Sequence, residues 1–227
     1  MKYSIEWLGH AAFKITAEDG RVVLIDPWLT NPKGVMGVED LKRVDIVLVT
    51  HDHDDHVGNA GEILKKFPEA TLIAQPELTG RLLKDYGFAP EQIKNGNGMN
   101  IGGTVEVAGI KITMVEATHS SETGEPSGFM VDIDGDVIYH AGDTGLMASM
   151  EYFKKLYAPV VALLPIGSVY TMDVKAAAMA ADMLGVEAVI PMHYGTFPIL
   201  TQSAEGMQEL TNADVLEIAP GQVIEFE

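Results

Sequence analysis

The chain has 227 residues, a formal net charge of −18, 47% hydrophobic and 21% charged residues, and no cysteine. Such a length and balance suit one globular domain over residues 1–227, with core enough to need no staples, and exclude a disordered chain. The absent cysteines exclude a disulfide framework and thiolate metal ligands, and the acidic excess argues against nucleic acid, which is bound by Lys and Arg displacing counterions.

Strands are expected near residues 3–8, 11–17 and 21–25, with Glu18-Asp19-Gly20-Arg21 as a hairpin turn. The N-terminus enters this strand pattern without the apolar segment of a secretory leader. A strand over 45–49 leads to a helix over 59–66, a strand over 70–74 and a helix over 76–86. Residues 104–116 and 128–140 read as hairpins turning at Ala108-Gly109 and Asp134-Gly135. Helices over 147–156, 173–184 and 203–211 alternate with strands at 160–164, 187–191 and 214–218. Asp173 and Gly185 are the expected caps of the middle helix. The longest apolar stretch, residues 158–167, is about half a membrane span and holds two prolines, so no membrane anchor is expected and a reducing cytoplasm is the expected location. Hairpins mixed with strand–helix units make an α/β chain and fit two facing sheets with helices outside.

Between the strand at 45–49 and the helix at 59–66 stands His-Asp-His-Asp-Asp-His, residues 51–56, which contains H-x-H-x-D-H. Three imidazoles and a carboxylate at the mouth of a strand are what a divalent transition metal needs. If the chain is still extended at 51–53, His51 and His53 project to the same side and converge on one ion. Asp55 and His56 fall where the chain turns into the helix and can face a second position. Six residues cannot complete two coordination spheres. His119, Asp143 and His193 each follow a predicted strand, where loop-built sites are assembled, and are candidates for the rest. A structural zinc site uses four ligands and is closed; seven candidates leave open positions.

The order of these pieces resembles the metallo-β-lactamase superfamily of binuclear metal hydrolases. The likeness runs over nearly the whole chain: Gly9-His10, Asp26-Pro27, H-x-H-x-D-H, His119, Gly142-Asp143-Thr144 and His193. Trp7-Leu8-Gly9-His10-Ala11, Ile25-Asp26-Pro27-Trp28 and Pro191-Met192-His193-Tyr194-Gly195-Thr196-Phe197 look like bacterial and archaeal metal-dependent hydrolases that are similar to the ascorbate-6-phosphate lactonases. The resemblance implies a four-layer αββα sandwich and two divalent ions, zinc by preference with manganese as the alternative. It assigns His51, His53 and His119 to one ion, Asp55, His56 and His193 to the other, and Asp143 to both. It gives Asp26 the task of hydrogen-bonding a ligand imidazole to set its tautomer; the residues alone also allow a turn former before Pro27. His10 either lines the substrate cavity, with a catalytic role, or is a satisfied polar residue at the first strand's end. His140 reads as a half-buried strand residue. The lack of cysteine sets the chain apart from branches that ligate through Cys, and His53 stands where diiron flavoproteins of this fold carry Glu.

The implied chemistry is hydrolysis of a small-molecule lactone or ester by a hydroxide bridging the two metals, with Asp55 able to accept a proton. A metal-dependent phosphodiesterase is the alternative, and a non-hydrolytic redox or metal-sensing protein a more distant one. Two divalent ions outweigh the two carboxylates at the site, so an anionic substrate is compatible with the acidic chain. Residues 28–38, 120–127, 168–173 and 194–199 should surround the metals, with Lys33, Tyr170, Tyr194 and Thr196 as candidate substrate contacts.

Overall fold

Val22-Val23-Leu24-Ile25 and Ile46-Val47-Leu48-Val49 are apolar at every position, as strands covered on both faces must be. In the computed structural model, which describes residues 2–227, their side chains alternate between two cores. Val23, Ile25, Ile46 and Leu48 face the interior between two sheets, and Val22, Leu24, Val47 and Val49 face outward under helices. One sheet has six strands: β1 (Tyr3–Gly9), β2 (Ala12–Ala17), β3 (Val22–Ile25), β4 (Ile46–Leu48), β5 (Thr71–Ile73) and, at the edge beside β1, β13 (Val223–Phe226). The other has seven, running in spatial order from β6 (Thr104–Val107) through β7 (Ile110–Glu116), β8 (Ser127–Ile133), β9 (Asp136–His140), β10 (Val161–Pro165) and β11 (Ala188–Met192) to β12 (Asp214–Val215).

Both sheets are mixed. β3, β4 and β5 are parallel, as are β9, β10, β11 and β12, while the hairpin strands pair antiparallel. Helices α2 (Ala60–Lys66) and α3 (Pro76–Tyr86) cover the first sheet through Ile63, Leu64, Leu78 and Leu82. Helices α4 (Met150–Tyr157) and α5 (Val174–Leu184) belong to the core of the second, through Phe153 and the alanines of α5. Alanines let α5 lie close to its sheet. The layers are therefore helix, sheet, sheet, helix, the four-layer α/β arrangement expected.

Three expectations need correction. Residues 203–211 do not form a helix: Gly206 takes φ +79°, which breaks the helical path, and one 3-10 turn at Gln208–Leu210 remains. The strand expected over 214–218 stops at Val215, because Glu217 turns its carboxylate to Ala204 N and Tyr194 Oη. The helix expected from residue 147 begins at Met150, because the preceding loop is pinned to Thr118 and Met172 by backbone hydrogen bonds. β13 has no counterpart among the expected strands: four residues alternating in burial are too short a pattern to stand out.

Candidate metal centre

The C-terminal ends of β1, β3, β4, β7, β9 and β11 open at one edge of the sandwich, and the candidate site residues follow them. Three of these, His10, Asp26 and His193, have φ of 55°, 46° and 58°, a left-handed backbone that costs a side-chain-bearing residue energy and tends to persist where function needs it. The loops are stitched across the two sheets: His193 N donates to His10 O at 3.0 Å, and Ser127 N and Oγ both donate to Thr50 O. The metal-motif loop itself is one short helix, α1 (Asp54–Val57), ending at Gly58. Gly58 sits at φ +43°, and a Cβ there would run into the backbone of Trp28.

All seven candidate ligands converge. One ligand atom from each of His51, His53 and His119 lies within 4.8 Å of the others, and the same holds for His51, His56 and Asp143, and for His10, Asp55, His56 and His193. Asp143 reaches both sides: Oδ2 is 3.5 Å from His119 Nε2 and 3.0 Å from His193 Nε2, and Oδ1 is 3.4 Å from His56 Nε2. His51 Nε2 and His53 Nδ1 approach to 3.0 Å. His56 Nε2, Asp143 Oδ1 and both ring nitrogens of His193 are buried without an aligned hydrogen bond among the described residues. Buried polar atoms normally find partners, so converging, unsatisfied lone pairs of this kind fit divalent cations. Nitrogen and carboxylate donors suit zinc or manganese.

Behind these atoms the tautomers are set. His56 Nδ1 donates to Asp26 Oδ2 at 2.6 Å, which leaves Nε2 facing the site. Thr50 Oγ1 donates to the same oxygen at 2.7 Å and stands 3.0 Å from His51 Nδ1, so His51 also presents Nε2. Asp26 Oδ1 accepts from Thr50 N at 2.8 Å. Asp26 thus orients one imidazole directly and a second through Thr50. His10 is fully buried, with Nε2 at 2.9 Å from Asp55 Oδ2 and Nδ1 at 2.9 Å from Thr196 Oγ1. It braces Asp55 from behind. His140, expected half-buried, is fully buried: Gly142 N donates to its Nδ1 and its Nε2 donates to Ala11 O. It ties the first sheet to the turn that delivers Asp143. Gly142 itself sits at φ +60°, where a Cβ would lie 2.5 Å from Ser127 O.

The electrostatics follow from burial against charge. Burial lowers His10 to about 4 and His51 to about 2, and lowers His119 and His140. At His193 burial opposes the charged form, but the Asp143 and Asp55 carboxylates outweigh it and hold the imidazole up to about 9. His56 is raised in the same way, with Asp143 and Asp26 overcoming burial. Asp143 and Asp55 are held low despite burial, by their histidine neighbours. In the metal-free protein, protons occupy part of the place that cations would take.

A family model described as Beta-lactamase superfamily domain matches residues 21–194. The chain belongs to the metallo-β-lactamase superfamily. It is 43% identical to a UPF0173 metal-dependent hydrolase of Hyperthermus butylicus over 98% of this chain and 99% of that one. It is 48% identical to one of Nitratidesulfovibrio vulgaris over 92% of this chain and 87% of the other. Among solved structures, a metallo hydrolase from the archaeon Ignicoccus hospitalis superposes with a TM-score of 0.89 at 39% identity, covering 99% of both chains. The protein is a metal-dependent hydrolase of this superfamily.

Around the superfamily centre, a cavity of about 310 Å³ is lined by His53, Asp55, His119, Ser120, Asp143, Tyr170 and His193. Of the expected substrate contacts, Tyr170 lies there. Thr196 serves His10, Tyr194 stacks on Trp7 at 5.3 Å, and Lys33 lies over both of those rings. Sequence reasoning missed Thr50, Asp52 and Arg81. Asp52 is buried, pairs with Arg81 Nη1 at 2.7 Å and accepts from Ser121 Oγ and Glu122 N, which fastens the loop after His119 to the metal motif. Its place inside the hexapeptide was the available signal, hidden by the histidines on either side. No helix of the described residues is long and apolar enough to cross a membrane.

Proposed function

We propose that the protein is a binuclear metal-dependent hydrolase of a small-molecule lactone or ester. The observation that carries this reading is the pair of ligand groups on either side of Asp143, with buried, unpartnered atoms on Asp143 itself and on His56 and His193. His51, His53 and His119 would hold one divalent ion, Asp55, His56 and His193 the other, and Asp143 would serve both. Zinc is the first choice and manganese the second. Metal bound there supplies an acidified water as nucleophile and a Lewis acid for the oxygen that gains charge. The chain's own groups do the rest. Asp26 and Thr50 keep the Nε2 atoms of His56 and His51 directed inward. Asp55, held ionised and braced by His10, would accept the proton that the nucleophile gives up. Ser120 and Tyr170 contact the substrate at the mouth.

Among the described residues no Lys or Arg lines the cavity, which favours a neutral carbonyl substrate over a phosphodiester, whose negative charge would call for cationic side chains. Elemental analysis of protein purified without chelator, followed by a panel of lactones, carboxylic esters and phosphodiesters, tests the reading. About two equivalents of zinc or manganese per chain, with turnover of lactones or esters, is the expected result. Failure to retain metal after its addition would overturn the binuclear centre. Preferred phosphodiester turnover would establish the alternative, and bound iron with reversible colour change would point to redox chemistry.

A further inference from the structure

The rim of the cavity is chemically two-sided. On one side, a hollow of about 440 Å³ adjoins His53 and Asp55 and is lined by Asp52, Asp54, Arg81 and Glu122. Its one cation is engaged by Asp52. On the other side stand three loops, residues 144–150, 166–172 and 194–204, which contain no Asp, Glu, Lys or Arg in a chain with 48 such residues. These loops are hydrogen-bonded into one surface: Met172 N donates to Thr144 O at 3.1 Å and Thr201 N to Gly167 O at 3.1 Å. They present Leu146, Val169, Tyr170, Phe197 and Ile199, each between 37% and 59% exposed. Exposed apolar side chains scattered singly mean little, but a joined group beside a cavity marks a binding surface.

Two contacts tie this surface to the centre. Tyr170 belongs to it and also lines the cavity with the candidate ligands. Phe197 stacks on Trp28 at 6.0 Å and meets the His10 ring edge-on at 5.7 Å, and His10 is the brace of Asp55. A molecule whose reacting carbonyl sits at the centre extends its substituents toward the acidic hollow or toward the uncharged rim. An aliphatic substituent gains by leaving water only on the rim.

We propose that the substrate carries an apolar acyl chain that lies across Val169, Tyr170 and Ile199. This deepens the hydrolase reading above and rests on it for the position of the carbonyl. Each methylene fully removed from water strengthens binding about fourfold, and a half-open surface yields about twofold.

Calorimetric titration of the metal-loaded protein with acetate, butyrate, hexanoate and octanoate tests the acyl surface without requiring turnover. Octanoate should bind about tenfold or more tightly than butyrate. In a Val169→Asp/Ile199→Asp double variant, whose exposed positions tolerate charge, the dependence on chain length should vanish. A Leu156→Asp variant, on the exposed side of α4, should retain it. Equal affinity across the series in the unaltered protein, or a slope that survives the double variant, would overturn the proposal. So would a dimer in sedimentation that the double variant dissolves, since a second copy would then cover the rim. If the slope is present but no ester or lactone is cleaved, the hydrolytic specificity fails and the acyl surface stands. If esters or lactones are cleaved but the series is flat, the hydrolytic specificity stands and the acyl surface fails.

Discussion

Asp26 shows how much one side chain sets at this site. Its carboxylate accepts hydrogen bonds from His56 Nδ1 and Thr50 Oγ1, and Thr50 Oγ1 in turn meets His51 Nδ1. Two imidazoles are thereby held in the tautomer that leaves Nε2 free, at the cost of a left-handed backbone at Asp26. Asp26→Asn keeps the size but offers an amide that cannot accept both protons on charged oxygens. Metal affinity should fall about 10- to 100-fold, measured by competition with a chromogenic chelator; an unchanged affinity would show that the tautomers are set elsewhere.

Individual elements obey local rules where the local signal is strong. Both hairpins turn at the expected pairs, Ala108-Gly109 with φ of 50° and 72° and Asp134-Gly135 with φ of 51° and 94°. Positive φ at both central residues matches the twist of the flanking strands. α5 begins where Asp173 Oδ1 accepts from Ala176 N at 2.7 Å and ends at Gly185 in the left-handed conformation. Asp173→Ala should destabilise the fold by about 1 kcal/mol, as loss of an N-cap does, read as a lower midpoint in urea with an unchanged slope. Where the local signal was mixed, at 203–211, Gly206 and the pull of Gln208 toward Ala213 and Val215 decided against a helix.

For the whole molecule, the candidate ligands come from both sheets: His51, His53, Asp55 and His56 follow β4, while His119, Asp143 and His193 follow strands of the second sheet. Metal would therefore clasp the two halves of the sandwich together, and protons compete for the same atoms. His193 is raised from 6.5 to about 9 in the metal-free protein, so its ion pairing stabilises fully below 6.5 and fades as pH rises through 9. The opposite trend belongs to the metal, whose ligands are freed as those protons leave. The difference in melting temperature between metal-loaded and chelator-treated protein should accordingly be larger at about pH 8 than at about pH 6. Differential scanning calorimetry decides it; a difference independent of pH would mean that the raised histidines do not hold metal.

The hexapeptide at 51–56, the strand ends at His119, Asp143 and His193, the two hairpin turns and the α5 caps were all legible along the chain, because each depends on neighbours within a few residues. The apolar runs at 22–25 and 46–49 likewise announced strands, and the packing of the two sheets and the helices shows that both of their faces are covered. The sequence could not show that Thr50 relays Asp26 to His51, that Asp52 spends its charge on Arg81, or that His140 joins Ala11 to Gly142. Those partners stand 24, 29 and 129 residues apart for the pairs Thr50–Asp26, Arg81–Asp52 and His140–Ala11. Nor could it show that three uncharged loops form one rim, since their hydrogen bonds join segments from different strand ends. Residue type and spacing determine which groups can bind a metal; which of them are buried, braced and brought within reach of one another depends on how the two sheets pack.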